Sequence, residues 1–307
     1  MDNATRAERV IPLRHPERWL STAAVLVVLA MVVHSLATNP RFEWPVVRDY
    51  FASNTIVMGL VRTLELMSIS MTIAIVVGTI LAIMRLSQAR VVSAVSGAYV
   101  WLFRGIPLLV LIIFFFNVSA LYPELSLGIP FGPEFVKGNA NAVITSFVAA
   151  VAALSIHESA YMAEIVRAGI SSVPRGQVEA AQALGITPSQ AMRRIILPQA
   201  MRFIVPPTTN QIIAMAKNTS LVSVIALPEL LYSAQIIYSK EFNTIPLLIV
   251  VTIWYLVVVS VLTVLQYFVE RHFNGGHDSR RATSVVGHRI WSNLTHFRRD
   301  REKDVTA

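Results

Sequence analysis

Residues Glu179 to Pro198 read EAAQALGITPSQAMRRIILP, a polar stretch set between two apolar runs. Its punctuation predicts two short helices joined by a tight turn. Pro174 suits a first helical position, and VEAAQAL carries a helix to Gly185, the residue type that most easily takes the left-handed conformation just past a helix end. Thr187, Pro188 and Gln190 then spell T-x-x-Q with Pro at the first helical position. That pattern predicts a capping box, and the second helix is expected to run until Pro198 stops it. A polar, doubly capped element of this kind is a docking feature, not a membrane segment.

The chain around it is apolar. Of 307 residues, 54% are hydrophobic and only 14% are charged, with a mean hydropathy of +0.58, which makes an integral membrane protein the default. No cysteine is present, so disulfides and thiolate metal sites are excluded. The net charge of +8 is not arranged as an aromatic-interleaved basic stripe, which argues against nucleic acid as a partner.

Six stretches are long enough to cross a bilayer, near 19 to 37, 57 to 84, 96 to 121, 142 to 165, 204 to 228 and 245 to 268. The fifth is the most polar, because it carries Asn210, Gln211, Lys217 and Asn218. With the N-terminus inside, 19 of the 26 Lys and Arg residues fall on the cytoplasmic side, including Arg167, Arg175, Arg193, Arg194 and Arg202 around the docking stretch. Both termini and the docking loop are therefore expected in the cytoplasm. The Ser35 to Ala37 triplet has a faint look of a signal-peptide cleavage site, but the run before it is long and five further spans follow, so a retained helix is the simpler expectation.

Within the quoted stretch, Glu179, Ala180, Ala181, Gly185, Ile195, Leu197 and Pro198 spell EAA, three residues, Gly, nine residues, I-x-L-P. This resembles the cytoplasmic loop of the permease subunits of bacterial ATP-binding-cassette (ABC) importers. The segment from Ile156 to Gly185, with Ala160, Tyr161, Ala163, Glu164, Ile165 and Arg167 at matching places, is similar to permeases for polar amino acids. Phe103 to Val110, FRGIPLLV, looks like that subfamily's R-G-T-P element with Ile106 in place of Thr, and Asn210 to Ile225 resembles a third element around Lys217, Thr219, Ser220 and Leu221.

The resemblance implies an all-α integral membrane fold of about six transmembrane helices, a five-helix type I importer permease core plus one added N-terminal helix, with a cytoplasmic helical coupling loop. The chain then divides into a cytoplasmic segment 1–18, an additional helix and external loop 19–54, a permease domain 55–270 with its coupling loop at 166–203, and a basic tail 271–307, expected to be disordered and to lie against anionic lipid. The implied partners are ABC ATPase subunits seated on the loop, a second permease chain, identical or related, an extracytoplasmic substrate-binding protein, an amino acid and membrane lipid. Neither cofactor nor metal is expected on this chain, which has no G-x-x-x-x-G-K-[ST] phosphate loop; ATP and Mg belong to the partner ATPase.

Charges inside membrane spans cost about 2.5 to 3.5 kcal/mol each on insertion scales, so each needs a partner or a water-filled path. Arg62 and Glu65 are three apart and can pair with each other. Arg104 precedes Gly105 and Pro107, where a kink is expected, and either meets a substrate carboxylate or serves as an interfacial or interhelical charge. His157 and Glu158 open like a zinc-protease motif, but Tyr161 stands where the second His would be, with Met162 after it. Glu158 instead either meets a substrate ammonium group or makes an ion pair, with His157 in a packing hydrogen bond. Lys217 lies between Ile213 and Leu221 on one stripe, as a gating contact or as polar glue between helices. A rival from another class is an ion-coupled secondary amino acid transporter using Glu158 and His157 as a proton relay; it would have no need of residues 174–198 for an ATPase.

Overall fold

The computed structural model describes residues 16–128 and 134–274. The segment before residue 16 and most of the expected basic tail lie outside the described residues.

Helix α1, Pro16–Thr38, is apolar and long enough to span a bilayer, and its span residues from Trp19 onward are exposed on this chain. The Trp44 indole fastens its C-terminal end, with Nε1 donating to the Leu36 carbonyl at 3.0 Å. A 3-10 turn at Pro40–Phe42 leads into the short amphipathic helix α2, Trp44–Phe51. Phe51 stacks on Trp254 with ring centroids 4.8 Å apart, and the Trp254 Nε1 donates to the Phe51 carbonyl.

Helix α3, Asn54–Arg85, forms the second span. The third differs from a simple kinked helix. Helix α4, Arg90–Gly105, and helix α5, Leu108–Phe116, meet at 100° across Ile106 and Pro107. Pro107 has no N–H to continue the ladder and excludes helical backbone at Ile106, which is extended at φ −90°, ψ 130°. The end of the predicted third span is the separate turn α6, Val118–Leu121. An antiparallel hairpin comes next, β1 Glu124–Gly128 and β2 Glu134–Asn139, before the short helix α7, Ala140–Val143. The hairpin is an addition to the expected all-helical layout. It lies in the loop between spans and leaves the membrane fold all-α.

Helix α8, Ser146–Ser171, is the fourth span and packs along α3. The two run in the same direction: the Arg62 guanidinium lies over the Phe147 ring at 5.4 Å, and sixteen residues on Gly78 packs against Met162 and Ser159. Leu66, Ala74, Ala150, Ala153, Leu154 and Met162 fill the core at this contact. After the docking region comes helix α9, Arg175–Ala183, then one α turn, α10, Pro188–Ala191, a π turn at Met192–Ile196, and helix α11, Leu197–Asn218.

The fifth span departs from its predicted limits of 204 to 228. Helix starts upstream of it and passes through Pro206 and Pro207, tightens into a 3-10 segment at Thr219–Ile225, and resumes at 44° as α12, Leu230–Glu241. Pro206 and Pro207 have no N–H for the Arg202 and Phe203 carbonyls, and beside them the Thr208 hydroxyl donates to the Ile204 carbonyl and the Thr209 hydroxyl to that of Pro206. Fully buried Glu229 caps α12 by accepting from the Leu231 and Tyr232 amides, and also accepts from the Tyr255 hydroxyl at 3.0 Å. Helix α13, Thr244–Asn274, is the sixth span. Four single helices and two bent pairs thus account for six apolar spans among the described residues.

Candidate coupling loop and translocation path

Helix α9 starts one residue later than expected. Pro174 is the cap residue, at φ −57°, ψ 133°, and Arg175 is the first helical residue. The far end matches the sequence closely. Gly185 sits at φ +70°, its amide donates to the Gln182 carbonyl and the Ile186 amide donates to the Ala181 carbonyl, both at 3.0 Å. That pair of bonds is a Schellman cap, which satisfies carbonyls the helix leaves open.

The capping box also forms. The Gln190 amide donates to Thr187 Oγ1 and the Thr187 amide to Gln190 Oε1, each at 3.4 Å, with Pro188 first in the helix. Pro198, however, does not stop this helix. The preceding five residues open into a π turn in which the Leu197 amide reaches the Met192 carbonyl, and the wider turn makes room for the proline ring. Gln199 Nε2 donates to the Ile195 carbonyl beside it at 2.9 Å. The second docking helix is therefore continuous with α11, a rod that enters the fifth span.

The seven loop residues divide by exposure. Glu179, Ala180, Gly185, Leu197 and Pro198 are exposed, Ile195 is half-buried, and Ala181 is buried, as are Ala191 and Ile196, the last of these in the main core. Leu184, which the motif does not include, is 78% exposed at the end of α9. A large apolar side chain on a polar helix end was visible in the sequence, but only the fold shows that it points away from every neighbour.

The three path candidates are not brought into one cluster. The Arg104 guanidinium lies over the Tyr161 ring at 5.1 Å, and that ring is 5.1 Å from His157, so a cation and two rings meet where the end of α4 packs against α8. Nearby, Glu164 is bonded to Arg167 at 2.7 Å. Arg62 and Glu65 pair at 2.8 Å, as their spacing predicts. Glu158 makes no ion pair among the described residues; it is 3% exposed and its Oε1 has no partner. Lys217 is exposed within the fifth apolar run. Phe203, Asn210 and Lys217, spaced by seven, form one exposed stripe along α11, where Ile213 and Leu221 are only half-buried flanks. Contact with lipid tails would be costly for a lysine in this position.

Residues 74–275 match the family described as Binding-protein-dependent transport system inner membrane component. The arginine transport system permease protein ArgU of Corynebacterium glutamicum is 42% identical over 268 residues, covering 86% of this chain and 83% of that protein. A glutamate/aspartate import permease protein, GltK of Escherichia coli, is 36% identical over 213 residues, 69% of this chain and 91% of that one. Among solved structures, an amino acid ABC transporter with histidines has 34% sequence identity and a TM-score of 0.61, covering 71% of this chain and 94% of that chain. The MetNI methionine ABC transporter in an inward-facing conformation, 21% identical with a TM-score of 0.53 over 71% of this chain and 96% of that chain, shares the fold.

Proposed function

Since the chain belongs to the family of binding-protein-dependent transport system inner membrane components, and is thus a permease subunit of an ABC importer, we propose that it forms half of a path for polar amino acids and is driven by a separate ATPase through residues 166–203. The amino-acid relatives named above support the substrate class. The continuity of the second docking helix with α11 carries the mechanical part. A push on Glu179, Ala180 and Leu184 is delivered through a capped turn into the same rod that bears Asn210 and Lys217.

In this proposal ATP and Mg are bound and turned over on the partner ATPase, a second permease chain completes the path against the exposed α11 stripe, and an extracytoplasmic binding protein delivers the substrate. Both termini and the loop lie in the cytoplasm, as the distribution of Lys and Arg supports. Arg104 and Lys217 are the cations available to a substrate carboxylate, and Glu158 the anion available to its positive group.

The test is purification of the chain from membranes with its ATPase, followed by ATP hydrolysis and amino acid uptake in proteoliposomes with binding protein. Uptake that needs ATP and is stimulated by liganded binding protein is the expected result. Uptake that tracks an ion gradient, with no ATPase retained, would overturn it.

A further inference from the structure

Between the spans α3 and α8 runs an open groove of about 340 Å³, lined by Ile69 and Ile73 of α3 and by Phe147, Val151 and Ile156 of α8 among others. That volume is in the range of ligand pockets, which begin at roughly 300 Å³. Seven of the eight lining residues are apolar, and the eighth, Ser155, is only 4% exposed. A polar amino acid would have its charged groups stranded against these side chains, so the groove suits hydrocarbon and not the transported solute.

The groove has a definite length and one polar end. From Phe147 to Ile156 is nine residues of α-helix, about 13.5 Å at 1.5 Å per residue, against about 15 Å for one leaflet of a hydrocarbon core about 30 Å thick. At the Phe147 end the Arg62 guanidinium lies 5.4 Å from that ring, on the edge of α3 that carries Ile69 and Ile73 seven and eleven residues on. Phe147 is the second residue of α8, whose far end leads to the coupling loop. The polar end therefore belongs to the outer leaflet in the orientation proposed above.

Arg62 and Glu65 are bonded at 2.8 Å through one nitrogen and one oxygen, and their side chains are 45% and 41% exposed. One such bond leaves the guanidinium with further donors and Glu65 with Oε1 as an acceptor. Charges on a span are costly against lipid tails and are eased where they meet headgroups. A cation and an anion side by side complement a headgroup that carries a phosphate and a primary ammonium. A headgroup with phosphate alone sets like charge against Glu65, and a quaternary ammonium has no N–H to give it.

We infer that this groove binds an outer-leaflet phospholipid of the phosphatidylethanolamine class. One acyl chain lies along α3 and α8, Arg62 donates to the phosphate, and Glu65 accepts from the ammonium.

The experiment takes the chain purified from membranes with its partner subunits and stripped of loosely held lipid. It is offered equal amounts of phosphatidylethanolamine, phosphatidylcholine and phosphatidylglycerol with identical acyl chains, and retained lipid is counted by native mass spectrometry. Phosphatidylethanolamine should be retained over the other two by about tenfold or more, the worth of one hydrogen bond to a charged group. Glu65→Gln, which keeps shape and leaves the cation, should turn the preference to phosphatidylglycerol. Val151→Trp, which fills the groove, should lower retention of all three alike. Equal retention of the three lipids by the wild type overturns the inference, as does a Glu65→Gln variant that still prefers phosphatidylethanolamine or a Val151→Trp variant that holds as much lipid as before. The chain has no cysteine, so Ile73→Cys gives a single crosslinking point; its capture of a second permease chain would put a protein helix in the groove and overturn the inference too.

Discussion

Gly78 packs so closely on Met162 that a methyl group at position 78 would lie 2.5 Å from the Met162 Cβ and 2.8 Å from the Ser159 carbonyl oxygen. Both obstacles are on α8 and close to its backbone, so neither can swing away. Gly78→Val is therefore expected to force α3 and α8 apart, at a cost of about 1 to 3 kcal/mol. Its signature is a lower unfolding temperature and poorer yield from membranes, measured in detergent against the wild type. Unchanged thermal stability would mean that the two helices do not meet this closely.

Gly185 presents the opposite case. Nothing lies within 4 Å of the place a Cβ would occupy, and the constraint is the backbone, at φ +70°. An L-residue pays about 1 to 2 kcal/mol to hold that conformation, with the β-branched types the worst suited. Gly185→Val should leave the membrane helices intact, since the loop lies outside their core, but loosen the ATPase and reduce substrate-stimulated hydrolysis. Gly185→Asn, which tolerates the left-handed region, should retain both. Comparing ATPase recovery for the two variants checks the point, and equal recovery would sink it.

Much of this loop was legible in the sequence because its signals are local. A cap needs only a hydroxyl and an amide three residues apart, and Thr187 and Gln190 provide them; a helix end needs only a residue free to take positive φ, and Gly185 provides it. Pro198 misled for a related reason. Its local preference is to end a helix, but the π turn before it absorbs the clash, and that turn has no residue signature. The 100° elbow at Ile106 and Pro107 was marked by Pro and Gly, though its size depends on what α5 packs against. Whether Glu158 has a partner could not be read along the chain at all, because it depends on which helices surround α8.

Leu184 is predicted to be part of the ATPase contact. It is 78% exposed at the tip of α9, next to the exposed Glu179 and Ala180, and a large apolar side chain in that position favours a partner that takes it out of water. Leu184→Asp should leave thermal stability of the isolated permease within about 0.5 kcal/mol, as for other surface changes. The same variant should lose most of the ATPase on co-purification. Full retention of the ATPase would place the docking surface elsewhere on the loop.

The π turn at Met192–Ile196 sets the rotation of α10 relative to α11. Inserting one residue into an α-helix turns everything beyond it by about 100°, and a π turn holds one such extra residue without breaking the rod. Deleting Arg193 should let the turn revert to α-helix and rotate the exposed stripe of Phe203, Asn210 and Lys217 by about that amount relative to Thr187 and Gln190. Because the caps and Leu184 are untouched, the ATPase should still co-purify, and its basal hydrolysis should survive. Substrate-stimulated hydrolysis and uptake should both be lost, since the push now arrives with the wrong side of α11 facing the path. An Arg193→Ala variant keeps the residue count and removes only the charge, so it should transport nearly as the wild type does. If the deletion still transports, the phase set by the π turn is irrelevant to coupling, and α11 cannot be the rod that carries it.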